Sequence, residues 1–201
     1  MKKIKEILIG THNKGKIKEF SYLLNNKIKK ITPFQLSIKS PKETGKSFKE
    51  NSELKARYFH KKSNIFTISD DSGLCVDCLN GKPGIYSARL AKKYGSFNKA
   101  SKKIIEMIKN KNAKKKKKNT NAKFICSLTI CFNENKKVTT LGVIKGNISE
   151  NLLGTKGFGY DPIFIPKGSK KTFGQMSNKK KILMDHRFIA FQKLKRKINI
   201  L

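Results

Sequence analysis

The sequence predicts an α/β protein built on a mixed sheet, and three observations predict it. Short apolar runs alternate with segments whose apolar residues recur every three or four positions, the pattern of strands alternating with helices. Two later apolar runs, 124–132 and 137–145, are separated by only four polar residues, which reads as a hairpin. The chain of 201 residues is long enough for one sizeable core, or for two lobes sharing one sheet.

The elements follow in order. Residues 5–10 (KEILIG) form a short apolar run ending at glycine, read as a buried strand. A polar turn comes next, and Ile17, Phe20, Leu23 and Leu24 then recur at helical spacing among lysines and a glutamate. A second strand is expected over 31–38. Residues 39–47 are a polar loop containing Pro41 and Gly45, and Phe48, Asn51, Leu54, Lys55, Tyr58 and Phe59 mark a helix over 48–60. The β-rich run IFTIS, 65–69, is a strand whose C-terminal end passes into an acidic turn, Asp70-Asp71-Ser72-Gly73. Residues 97–109 are helical, with Ile104, Ile105 and Ile108 as the apolar stripe. The stretch 110–123 contains five consecutive lysines, 114–118, a like-charge block expected to be a solvated, mobile basic loop. The hairpin strands are joined by Asn133-Glu134-Asn135-Lys136, and 186–201 closes the chain as an amphipathic basic helix. No internal repeat is visible.

Composition narrows the function classes. An apolar fraction of 37% is low for a globular protein but well above that of a disordered chain. No stretch approaches the roughly 20 apolar residues that span a bilayer. The start Met1-Lys2-Lys3-Ile4-Lys5-Glu6 is basic but lacks an apolar stretch of signal-peptide length, so a cytoplasmic protein without a membrane partner is expected. The formal net charge of +34, from 47 basic and 13 acidic residues, raises nucleic-acid binding. The lysines are instead spread along the whole chain, with few aromatics between them and no nucleic-acid-binding signature. With Lys, Asn, Ile and Phe all abundant, the charge is read as compositional drift of an AT-rich genome. Weak non-specific RNA binding is expected under either reading. Cys75 and Cys78 match C-x-x-C, but in an extended segment they face opposite ways, as do Cys126 and Cys131; all four are expected to be structural.

Five segments carry chemistry. Thr11, His12, Asn13, Lys14, Gly15 and Lys16 lie between a strand and a helix, where free N–H groups and the helix dipole favour a phosphate. Alone, that loop is equally an ordinary capped helix start. Asp70 and Asp71 are adjacent carboxylates whose repulsion calls for a hard cation such as Mg²⁺. One of them then serves as general base toward a metal-activated water. Glu43, in a chain poor in acids, precedes a Thr-Gly turn and completes such a metal site. Arg89, after the turn at 81–87, offers a bidentate fork for phosphate or carboxylate, or is simply a surface arginine. Phe158, Gly159, Tyr160 and Asp161 place two aromatics and an acid on a glycine-hinged loop, suited to stacking on a purine and reading its edge, or to a tight turn with buried rings. His186 and Arg187 open the last helix after Asp185, with Lys181 just upstream.

Taken in order, these segments resemble the inosine triphosphate pyrophosphatase family, in particular its bacterial dITP/XTP pyrophosphatases. The matching signatures are T-x-N-x-x-K from Thr11, ETG-x-x-F-x-EN-x-x-x-KA from Glu43 and DDSGL-x-V from Asp70. G-x-PGIYSAR from Gly81, GFGYDPIF from Gly157 and K-x-x-x-x-HR from Lys181 complete the set, nearly spanning the chain. The resemblance implies an elongated mixed β-sheet in two lobes with flanking helices, an active-site cleft between the lobes, and usually a homodimer. It implies hydrolysis of dITP, ITP or XTP to a monophosphate and pyrophosphate, clearing deaminated purines from the nucleotide pool. By position it makes Asp71 the general base and a Mg²⁺ ligand, Glu43 the second ligand and Asp70 a supporting neighbour, and it gives Ser72 to the substrate. The loop from Thr11 to Lys16 holds the phosphates. Phe158, Gly159, Tyr160, Asp161, Lys181, His186 and Arg187 surround base and sugar. The chain departs from the family in having Asp185 before His-Arg, where Ser is usual. It also has Asn178, Lys179 and Lys180 where acids usually precede the family lysine, so Lys180 competes with Lys181 for that role.

Base chemistry explains the substrate preference. Inosine and xanthosine carry a 6-oxo group where adenine has an amino donor, so a pocket that donates to this oxygen leaves buried donors unpaired against adenine. His186, Arg187 and the amides of 158–161 are the candidate donors. Two rival functions are a related pyrophosphatase acting on dTTP or UTP, and a basic nucleic-acid-binding protein with a vestigial site. GFGYDPIF and the His-Arg helix favour the purine branch over the first rival. The intact Asp70, Asp71, Lys16, Asp161 and Arg187 oppose the second.

Overall fold

The structure, a computed structural model, describes residues 4–198. Its strands are β1 (Glu6–Ile9), β2 (Lys29–Ile31), β3 (Thr67–Val76), β4 (Asn121–Cys131), β5 (Lys137–Ile148) and β6 (Phe164–Pro166). They form one six-stranded sheet in the order β2-β1-β3-β4-β5-β6. β1 runs parallel to β2 and β3, whereas β5 and β6 are antiparallel, so the sheet is mixed. The main helices are α1 (Lys14–Leu23), α2 (Phe48–Ser63), α3 (Ser87–Lys93), α4 (Phe97–Asn112), α5 (Asn178–Ile182) and α6 (His186–Lys197). Among the described residues, no helix is long and apolar enough to cross a membrane.

The chain divides into two compact units. The first holds the residues up to Asp71, Cys126–Gly142 and the chain from His186 onward; the second holds Ser72–Ile125 and Val143–Asp185. In the first, β1 alternates as a strand must: Ile7 and Ile9 join a core with Phe20, Ile68, Leu128, Ile130 and Phe191, while Leu8 packs with Ile31 and Phe59. In the second, the α4 stripe of Ile104, Ile105 and Ile108 packs with Leu74, Val76, Phe124, Phe164 and Phe173, as its helical spacing predicts.

Three sequence expectations are corrected. The strand placed over 31–38 ends at Ile31, because Pro33 has no N–H to donate and Thr32 turns back. The N–H and hydroxyl of Thr32 both donate to Gln35 Oε1, each at 2.9 Å. The acidic segment is no turn: β3 continues through Asp70, Asp71, Ser72 and Gly73 to Val76. Flanked by β1 and β4, that strand buries nearly every residue, and the carboxylates are tolerated there only because cations reach them. β6 begins at Phe164, the last residue of the GFGYDPIF motif, where no element was expected. The segment between α4 and β4 is 113–120, since α4 takes in residues to Asn112 and β4 begins at Asn121. The hairpin closes with Phe132 N–H donating to Lys136 O at 2.9 Å. Of the closing helix expected over 186–201, α6 accounts for His186–Lys197, and residues 199–201 lie outside the described residues, as do Met1, Lys2 and Lys3.

Candidate active site

In the first unit, three elements deliver charge to one stretch of β3. Asp70 is wholly buried, and its Oδ2 accepts from Arg187 Nη2 at 2.8 Å and pairs with Lys16 Nζ at 3.0 Å. The Cys126 thiol points at the same oxygen from 3.8 Å. Burial pushes the Asp70 carboxyl toward neutrality, but the charges of Arg187, Lys16 and Lys55 outweigh burial and hold it well below the usual carboxylate range. Among the described residues, its Oδ1 is buried with no hydrogen-bond partner.

Asp71 lives in a different balance. Its Oδ2 accepts from Asn51 Nδ2 at 3.1 Å, and its Oδ1 lies 3.6 Å from Lys55 Nζ. Burial raises its pKa; Lys55 and Lys16 pull against that rise and Glu43 adds to it, leaving the group above the ordinary aspartate value. Lys55 Nζ also meets Glu43 Oε1 at 2.5 Å. Burial pulls the Lys55 ammonium down, yet Asp71, Glu43 and Asp70 reverse that and hold its pKa up. Two neighbouring aspartates are thus pushed in opposite directions by their surroundings, a pattern that separates a structural carboxylate from a working one.

Local sequence places these groups. Asn13 caps α1, its Oδ1 accepting from Lys16 N–H at 3.1 Å, so Lys16 enters the helix on the turn that reaches Asp70. Ser47 caps α2, accepting from Glu50 N–H at 3.1 Å, while Glu50 accepts from Lys46 N–H at 2.8 Å. Asn51 and Lys55 follow one turn apart on the same face of α2. Asn51 Oδ1 also accepts from Gly45 N–H at 2.8 Å, pinning the loop that carries Glu43. A Cβ on Gly45 would lie 2.6 Å from that oxygen, so glycine is required for the approach. Glu43 and Asp71 therefore turn hard oxygens toward one cationic point, the Lys55 ammonium. Such a donor pair fits Mg²⁺, which completes its shell with waters and phosphate oxygens. Among the described residues, no three His, Cys, Asp or Glu side chains group as a metal cage.

The second unit holds a separate cluster. Asp161 Oδ2 accepts from Lys181 Nζ at 2.6 Å and from Phe158 N–H at 2.8 Å. Both charged side chains are buried, and the ammonium lies 4.5 Å from the Phe158 ring centre. Gly157, at φ +76°, admits Asp161 Oδ2 where a Cβ would stand. Lys180 is exposed, so the buried cation of this segment is Lys181.

Several expected residues are placed differently. Tyr160 is 2% exposed and donates its hydroxyl to Ser87 O at 2.9 Å, making it a core residue of the loop, its phenol pushed upward by burial. Arg187 is completely buried, with terminal nitrogens on Asp70 and Glu19 and its guanidinium 5.6 Å from the Phe20 ring centre. Both terminal nitrogens thus meet carboxylates within the first unit. Arg89 is exposed and stacks over Tyr86 at 4.9 Å. His12 Nδ1 hydrogen-bonds with Ser40 Oγ at 2.6 Å, and its ring meets Phe34 edge-on. Thr11 is buried, Lys14 and Asn13 are exposed, and Gly15 is half-buried within the first turn of α1. Ser72 is half-buried on β3, and His186 is buried as the first residue of α6. The four cysteines are free thiols. Sequence reasoning missed Asn51, Lys55 and Glu19 as site residues. The signal for two of them was present: a polar pair one turn apart on the face of α2 that also carries the buried Phe59.

Comparison with known proteins bears on this arrangement. The chain is 38% identical over 203 residues to a dITP/XTP pyrophosphatase of Bacillus cereus, covering 98% of this chain and 97% of the relative. It is 35% identical over 189 residues to the dITP/XTP pyrophosphatase of Zymomonas mobilis, covering 94% of this chain and 89% of that one. The structure of a HAM1 protein from Coxiella burnetii superposes with a TM-score of 0.86 at 31% identity, covering 98% of this chain and 99% of that chain. The Ham1 protein of Staphylococcus aureus gives a TM-score of 0.79 at 35% identity, with 97% and 98% covered. The model of the Ham1 family matches residues 7–197, and the chain belongs to that family.

Proposed function

We propose that this protein hydrolyses the α–β phosphoanhydride of non-canonical purine nucleoside triphosphates, dITP, ITP and XTP, to the monophosphate and pyrophosphate. The observation that carries this reading is the buried Asp71 carboxylate, held on one oxygen by Asn51 and faced on the other by Lys55. In this reading Asp71 is the general base, taking a proton from water as the water adds to the α-phosphorus and pyrophosphate leaves. Its raised pKa makes it a better proton acceptor than an exposed aspartate, while the Lys55 ammonium beside it favours the charged form. Asp70 stays charged and anchors Lys16 and Arg187. The α1 N-terminus with Thr11, Asn13, Lys14 and Lys16 receives the phosphates through N–H groups and ammonium charge. A Mg²⁺ held by Glu43 and Asp71 supplies, when bound, neutralisation of the triphosphate and a water of lowered pKa.

The base is assigned to the turn at 157–161. The N–H groups of Phe158 and Asp161 are spent within the turn, so Gly159 and Tyr160 carry the donors for a 6-oxo purine. Phe158 offers a ring face, and Lys181 fixes Asp161 and so the turn. Adenine leaves such donors unsatisfied, at about 1–3 kcal/mol each. The test is pyrophosphate release from ITP, dITP, XTP, GTP and ATP with Mg²⁺. Turnover of the first three at least tenfold above ATP is expected, and equal turnover of all five would refute the assignment.

A further inference from the structure

Three lysines stand in one row on the sheet of the second unit. Lys145 pairs with Lys167 one position beyond the Gly146–Pro166 pair, and Lys167 N–H donates to Lys145 O at 2.9 Å. The β4–β5 hairpin keeps one register from Phe132 N–H→Lys136 O to Ile148 N–H→Thr120 O, both 2.9 Å. That register sets Lys123 opposite Lys145, just as it sets Asn121 opposite Asn147, whose side chains bond at 3.0 Å. Directly opposed residues point to the same face, and strands lie about 4.8 Å apart. All three lysines line one groove of about 440 Å³, in which Asp77 is the single carboxylate.

Like charges directly opposed across strands destabilise a sheet. Lys167, one residue past the edge strand β6, guards against edge pairing, but Lys123 and Lys145 lie on inner strands that have no open edge. Among the described residues the groove has no aromatic lining, hence no platform on which a base stacks. The ligand that answers this row is a chain of closely spaced anionic groups without bases. We infer that Lys123, Lys145 and Lys167 bind a short inorganic phosphate chain, pyrophosphate or tripolyphosphate. None of these residues belongs to the Asp71 cluster, so the inference does not rest on the proposed hydrolysis.

The test is calorimetric titration of the full chain with tripolyphosphate in EDTA, where no metal-dependent turnover occurs. The double variant Lys14→Ala with Lys16→Ala serves as the parent, removing both ammonium charges that the α1 loop offers to phosphate. Binding should persist in that parent and weaken at least tenfold when Lys145→Gln is added. Lys145→Arg should bind as the parent does, and Lys145→Gln should melt no lower than the parent when phosphate is absent, since one repulsion is relieved. Equal affinity in that parent with and without Lys145→Gln would overturn the proposal. ATP and a single-stranded oligoribonucleotide of matched charge should bind more weakly than tripolyphosphate. Tighter binding of the oligoribonucleotide, lost with Lys145→Gln, would overturn the phosphate chain in favour of a nucleic-acid backbone.

Discussion

Replacing each of the two neighbouring aspartates by asparagine should have opposite effects on stability. Asp70→Asn keeps the shape but takes the carboxylate charge from both Lys16 and Arg187, all inside the first unit. Breaking a buried ion pair in this way costs about 3–5 kcal/mol. For a chain of this size each kcal/mol moves Tm by about 2–4 °C, so a fall of at least about 6 °C is expected. The pH dependence follows from the depressed pKa of Asp70. Its stabilisation is fully present above the unfolded aspartate pKa, about 3.9, and is lost as pH falls toward the lower folded value. The gap between wild type and Asp70→Asn is therefore constant from pH 7 to 5 and narrows below pH 4. Asp71 has the reverse sign. Its folded pKa is raised, so its contribution is present below the unfolded pKa and lost as pH rises through the folded one. Asp71→Asn should be neutral or slightly stabilising at pH 7. Thermal unfolding by circular dichroism in EDTA reads both. An Asp70→Asn protein melting within 2 °C of wild type, or a pH-independent gap, would refute the electrostatic reasoning.

Two further substitutions probe the charged clusters. Lys181→Met removes the cation from a carboxylate that is itself buried, so a loss of about 3–5 kcal/mol is expected, whereas the exposed Lys180→Met should stay within about 0.5 kcal/mol; denaturant unfolding of both compares them directly. Lys55→Met strips Glu43 and Asp71 of their shared ammonium, so Tm should fall in EDTA and recover more on adding Mg²⁺ than wild type gains; an identical Mg²⁺-induced shift in both proteins would argue against Glu43 and Asp71 as the ligand pair.

The fold class, the hairpin and the long helices were legible because their signals are local: an apolar period, a four-residue polar break, a Ser or Asn cap. The short β2 was misjudged where Pro33 and Gln35 override an apolar run. β3 was cut short because a strand is not expected to carry two carboxylates. What permits it is charge arriving from Lys16 and Arg187, remote in sequence and near in space, which no local pattern reports. The same distance hid the work of Lys55 and Asn51, legible as positions on a helix but not as partners of Asp71. The motifs bring Tyr160 and Arg187 to a nucleotide without reporting that the Tyr160 side chain lies in the core and that Arg187 reaches Asp70 and Glu19. The row of Lys123, Lys145 and Lys167 is invisible in a sequence rich in lysine, since only strand register aligns it.

The central claim is that Asp71 is the base of a phosphoanhydride hydrolysis. Its most direct test is single-turnover pyrophosphate release from ITP at saturating substrate and Mg²⁺, comparing wild type with Asp71→Asn. Removal of a general base predicts a rate lower by about 10²–10⁴-fold, with Tm unchanged or higher. A folded Asp71→Asn protein that releases pyrophosphate at the wild-type rate would contradict the account.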